Sequence, residues 1–105
     1  MNRLRTAAMI LLAASIAAPA FAQSAGADTY KAKCAMCHGP DGTAATPMGK
    51  MMKIPSFKDP VVVKDSEAVL ISVTKDGKGK MPSYNGKLTD AQIKEVISYI
   101  RTLQK

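Results

Sequence analysis

The stretch with the most specific chemistry in this chain is Cys34-Ala35-Met36-Cys37-His38. It is a C-x-x-C-H pattern, the signature of covalent c-type haem attachment. On a helix, positions i, i+3 and i+4 lie on one face. Cys34, Cys37 and His38 then point the same way. The two thiols can form thioethers with the two vinyl groups of a haem while the imidazole reaches the iron. Other uses of these residues fit less well. A thioredoxin-like redox pair needs a βαβ setting, and nothing in the chain alternates strand and helix in that way. A structural zinc site needs four ligands, whereas the chain has two cysteines and one histidine. A disulfide between Cys34 and Cys37 would staple almost nothing.

A haem iron held by His38 has a sixth position to fill. Between Gly77 and Gly86 runs a glycine-rich loop without a phosphate-loop pattern, and Met81-Pro82 stands in its middle. Glycines let the backbone pass close to a partner, and Pro82 fixes the chain just after Met81. A thioether here suits haem iron. Met36, Met48, Met51 and Met52 are rivals for that role, and a methionine can also serve as plain filling. Sequence position favours Met81.

These side chains need elements to hold them. A first helix is expected from near Gly26 or Asp28, capped by Ser24 or Asp28, with Gly26, Tyr30 and Cys34 on one face. Gly39-Pro40-Asp41-Gly42 is a turn that ends this helix after His38. From there to Lys64 the chain reads as irregular, broken by Pro47, Gly49, Pro55 and Pro60. So long a stretch makes sense if it wraps a flat cofactor, with Met48, Met51, Met52, Ile54 and Phe57 lining one side. Val61-Val62-Val63 fits either an extended segment or a helical turn. A second helix should start at Asp65 or Ser66 and run to about Lys75, with Val69, Leu70 and Val73 on one face and Gly77 as its stop. The last helix has the clearest start: Thr89-Asp90-Ala91-Gln92 is a capping box, and Leu88 with Ile93 makes a hydrophobic staple. Ile93, Val96, Ile97, Ile100 and Leu103 form its apolar stripe.

The chain has 105 residues, enough for one domain. Residues 1–22 read as a secretory signal peptide: Arg3 and Arg5, an apolar run from Ala7 to Ala18, and the A-x-A-type site Ala20-Phe21-Ala22 with cleavage before Gln23. The run is shorter than the ~20 residues of a spanning helix, and Arg3 and Arg5 are not adjacent, which argues against a twin-arginine route. The domain expected is 23–105, small enough to need a staple, which a covalent haem would supply. Removing Arg3 and Arg5 from the 15 basic residues leaves 13 against 8 acidic ones, net +5. The lysines are scattered singly, which excludes a nucleic-acid-binding pattern.

The chain resembles class I cytochrome c, close to the small bacterial c551/c552-like and c6-like proteins. The matching stretches are Gly26-x-x-x-Tyr30, Cys34-Ala35-Met36-Cys37-His38-Gly39, Gly79-Lys80-Met81-Pro82-x-Tyr84 and the Leu88-Thr89 helix with Tyr99. The resemblance implies an all-α fold of about three to four helices around one covalent haem c, with Gly26 and Tyr99 at the crossing of the first and last helices. It implies His38 and Met81 as axial iron ligands, Cys34 and Cys37 as thioether sites, and Pro47 as the residue whose carbonyl meets the other nitrogen of His38. The segment 49–64 matches the family only loosely.

The implied function is single-electron transfer between redox proteins by a periplasmic monomer that is not an enzyme and keeps no membrane span after cleavage. With both axial positions filled, no open site is left for oxygen or peroxide. Lys78 and Lys80 flank Met81, and Lys50, Lys53 and Lys87 are further candidates for steering a partner with an acidic docking surface. Two alternatives are a haem domain with an exchangeable sixth ligand, which would bind gas or peroxide, and a subunit docked to a larger oxidoreductase.

Overall fold

The computed structural model describes residues 18–105, with side chains from Ser24 onward. The leader expected at 1–22 therefore lies mostly outside the described residues. Six helical segments follow one another: α1 (Ala18–Lys33), α2 (Ala35–His38), α3 (Pro47–Met51), α4 (Pro60–Val63), α5 (Glu67–Asp76) and α6 (Asp90–Leu103). Three are long and three are single turns, and no strand occurs among the described residues. The all-α expectation holds. No helix among these residues is long and apolar enough to cross a membrane.

The frame is α1 packed across α6. Gly26 makes the crossing possible: a Cβ there would collide with the Glu95 carbonyl and lie 3.2 Å from Tyr99 Cβ. One turn further on, the Tyr30 ring meets the Tyr99 ring at 5.3 Å, tilted by 56°. The α6 stripe closes the core, with Ile93, Val96, Ile97 and Ile100 buried and Leu103 at its edge. The expected capping box is formed: Gln92 N–H donates to Thr89 Oγ1 at 3.1 Å, and Thr89 N–H donates to Gln92 Oε1 at 2.9 Å.

Several expectations need correction. α1 starts at Ala18, so Ser24 and Asp28 lie inside it rather than capping it. The run holds Ala18, Ala20, Ala22, Ala25 and Ala27, the best helix formers. The segment read as irregular contains α3 and α4. Thr46 caps α3, its Oγ1 accepting from Gly49 N–H at 2.9 Å, with Pro47 in the first turn. Asp59 caps α4 by accepting from Val61 N–H, with Pro60 next, so the valine run is a helical turn. In α5 the cap is Ser66, and Val69 is 44% exposed while Leu70 and Thr74 are buried. The inward face is therefore Leu70, Val73 and Thr74.

Candidate functional site

α1 ends at Lys33, Cys34 makes a turn, and α2 carries the rest of the motif. The backbone stays nearly helical through the junction. Cys34 N–H donates to the Tyr30 carbonyl at 2.8 Å, and His38 N–H donates to the Cys34 carbonyl at 2.9 Å. The helix stops at Gly39, whose φ of 81° is left-handed, and the Tyr30 hydroxyl donates to the Gly39 carbonyl at 2.5 Å. Cys34, Cys37 and His38 thereby face one cavity of about 820 Å³. This is within the range of roughly 300–1,000 Å³ typical of cofactor sites.

The wall of the cavity is mostly apolar. Ile54, Pro55 and Phe57 come from the middle segment, Leu70 and Val73 from α5, and Val96, Ile97 and Ile100 from α6. Of the five residues expected there from 48–57, Met52, Ile54 and Phe57 are present. Met48 does not line the cavity, and Met51 is 71% exposed. Among the candidate thioethers, Met81 and Met52 lie on the wall, whereas Met36 is 78% exposed.

The Met81 loop is docked on the end of α5. Lys78 and Met81 exchange backbone hydrogen bonds of 3.1 and 2.9 Å, closing a tight turn through Gly79. Tyr84 and Asn85 N–H groups donate to the Thr74 and Lys75 carbonyls at 3.1 and 3.0 Å, satisfying the helix end. The Tyr84 hydroxyl donates to the Lys33 carbonyl at 2.9 Å, reaching the last turn of α1. Gly77, with φ of 80°, lets this loop approach, since a Cβ there would lie 2.8 Å from the Met81 carbonyl oxygen.

The His38 ring stacks on Phe57, with centroids 4.5 Å apart and planes 18° from parallel. Its Nδ1 is buried without a hydrogen-bond partner. The bond expected from the Pro47 carbonyl is therefore not made in this structure; the first turn of α3 is instead tied to α2 through Thr46, whose hydroxyl donates to the Cys37 carbonyl at 2.8 Å. Burial pushes the His38 pKa below its usual 6.5, so the ring is neutral near pH 7 with a free lone pair. Burial, and then the neighbouring Cys37, pushes the Cys34 thiol up to about 11. Neither cysteine is in a disulfide. No cluster of three or more His, Cys, Asp or Glu that could hold a metal ion occurs among the described residues.

Sequence reasoning missed three supports of this site. Thr46 could have been found, because Thr-Pro before a short run is a cap signal. The stacking of Phe57 on His38 and the reach of Tyr84 to Lys33 span too much sequence to leave a local sign.

These residues suit a haem. Two unpaired thiols, a neutral imidazole with an orphaned nitrogen and two thioethers border one apolar cavity. An all-α frame with this arrangement defines a c-type cytochrome of class I. Comparison with known proteins agrees. The family described as cytochrome c oxidase, cbb3-type, subunit III matches residues 21–100. Cytochrome c6 of Picosynechococcus sp. is 38% identical, over 95% of this chain and 92% of its own. Cytochrome c6 of Leptolyngbya boryana is 36% identical, over 73% of this chain and 87% of its own. The cbb3-type oxidase subunit CcoP of Cereibacter sphaeroides is 35% identical over 74% of this chain, a match spanning only 26% of that subunit. A solved structure, the KustC0563 c-type cytochrome, superposes with a TM-score of 0.70 at 28% identity, covering 76% of this chain and 98% of that one. The chain belongs to this cytochrome c family as a small class I monohaem member. It carries covalently bound haem c and works as an electron carrier, not an enzyme.

Proposed function

We propose that the mature chain, residues 23–105, is an exported, periplasmic, monomeric carrier in which His38 and Met81 bind the iron and Cys34 and Cys37 tether the porphyrin. When bound, the haem supplies one-electron Fe(III)/Fe(II) chemistry. Cys34 and Cys37 prevent its loss between partners. His38, kept neutral by burial, offers its lone pair on one side. Nδ1 would then carry the proton. The Met81 thioether would supply the iron with a sulfur ligand and favour the reduced state. Leu70, Val73, Ile97 and Ile100 exclude water. Lys78 and Lys80 on the cavity wall are proposed to orient a redox partner with an acidic docking surface.

The observation that carries this reading is the position of Met81 in a docked loop on the wall that also holds His38. A free carrier is favoured over a docked subunit because cytochrome c6 matches over nearly its whole length and CcoP over a quarter. The test is a pair of substitutions. Met81→Ala should abolish the sulfur-to-iron charge-transfer band of the oxidised protein and let the reduced protein bind carbon monoxide. Met52→Ala should do neither. The reverse pattern would transfer the ligand role to Met52.

A further inference from the structure

Among the described residues, two other than glycine have a left-handed backbone, Ala44 at φ 58° and Lys53 at φ 53°. Ala44 is 4% exposed, and its N–H is bonded to the His38 carbonyl at 2.7 Å, so packing accounts for it. Lys53 is exposed and has no such packing. It occupies the residue just past the cap of α3 in a six-to-one and five-to-two closure: Ile54 N–H donates to the Gly49 carbonyl at 2.9 Å, and Lys53 N–H donates to the Lys50 carbonyl at 3.3 Å. That position ordinarily takes glycine, because a Cβ makes the left-handed conformation costly. Here the closure carries a lysine whose side chain borders the haem cavity. The ion pair found among the described residues joins Lys75 to Asp90, so Lys53 has no carboxylate partner there.

We propose that Lys53 is a carboxylate clamp, its ammonium pairing with a propionate of the bound haem at the cavity mouth. The inference rests on the haem occupying this cavity. Three other lysines border it, and the chain's own layout separates them. Lys33 precedes Cys34 and so lies at the thioether edge, whereas vinyl and propionate groups occupy opposite edges of a porphyrin. Lys78 and Lys80 belong to the turn that presents Met81. Lys53 belongs to neither, and the backbone cost of placing a lysine there is offset by the pair it makes. The other polar groups on the wall are His38, Thr74, Tyr84 and Asp65. Asp65 is the one protein carboxylate among them, too little to neutralise four lysines.

The test uses the matured holoprotein with Lys53→Gln, Lys53→Gly and Lys53→Arg, and Lys94→Gln as the control for loss of a remote surface charge. A cation beside a propionate screens its negative charge from the iron. Lys53→Gln and Lys53→Gly should lower the midpoint potential alike, by at least about twice the change in the control, and should shift the NMR resonances of one propionate's methylenes. Lys53→Arg should preserve both. Lys53→Gly should melt above Lys53→Gln, because glycine removes the backbone cost that glutamine keeps. Potentials and propionate resonances equal to those of the control would overturn the clamp, as would a larger effect from Lys78→Gln or Lys80→Gln. Equal melting of the glycine and glutamine variants would overturn the compensation. A pyridine haemochrome assay separates the two levels: a folded chain without haem sinks the cofactor reading, whereas one haem per chain with an unmoved potential sinks the clamp alone.

Discussion

Replacing Gly26 with alanine sets two effects of opposite sign against each other. In an exposed helix interior the change gains about 0.8–1 kcal/mol of helix propensity. At the α1–α6 crossing the new methyl meets the Glu95 carbonyl, with the carbonyl carbon at 2.8 Å and Tyr99 Cβ at 3.2 Å. The obstacle is backbone held in the α6 hydrogen-bond ladder, so relief requires moving a helix rather than a side chain. Such overpacking costs about 1–3 kcal/mol, and because the overlap is with a backbone carbonyl the upper half of that range applies. The net is a loss of about 1–2 kcal/mol. For a domain of this size each kcal/mol moves Tm by roughly 4–8 °C, so Gly26→Ala should melt about 4–16 °C lower. Circular dichroism of the oxidised holoprotein reads this directly, with the visible spectrum unchanged at room temperature. Ala32→Gly, exposed on α1, isolates the propensity effect and should cost about 1 kcal/mol. If Gly26→Ala instead raised Tm by what propensity alone provides, the close crossing would be wrong.

Two further outcomes follow from the site. Burial holds the unligated His38 imidazole below its ordinary pKa of 6.5, and an iron bound to its lone pair would withhold it from protons as well, so below that pH the unfolded chain with its imidazole released takes up a proton that the folded chain does not. Its contribution is fully present above pH 6.5 and is lost as the pH falls through the folded value. The denaturant midpoint should decline on acidification from pH 6.5, and a flat midpoint would contradict the burial argument. Thr46→Val removes both the cap of α3 and the bond to the Cys37 carbonyl. It should cost about 1–2 kcal/mol in denaturant unfolding, and a loss indistinguishable from zero would mean that these bonds hold nothing.

The parts legible in the sequence were those written in neighbouring residues. The Thr89 capping box and the α6 stripe each lie within a few turns of chain, and each appears as read; Cys34, Cys37 and His38 border one cavity, although the first helix ends at Lys33 instead of continuing to His38. α3 and α4 were hidden because Pro47 and Pro60 signal breaks, although proline also opens helices when a Thr or Asp precedes it. Val69 shares the apolar spacing of Leu70 and Val73 yet is 44% exposed, because spacing sets a helical period without fixing its phase. The start of α1 slipped because an alanine-rich run satisfies both a leader and a helix. The roles of Phe57 and Tyr84 at the cavity depend on contacts across 19 and 51 positions, beyond the reach of local pattern.

Tyr84 gives the site a mechanical property. Its backbone N–H is fastened to the end of α5 and its hydroxyl to the end of α1, directly before Cys34. The strap that bears Met81 is thus joined through one phenol to the opposite side of the pocket. Excursions that carry Met81 off the cavity wall release that crossbar, so the two sides of the proposed iron site should loosen together rather than one at a time.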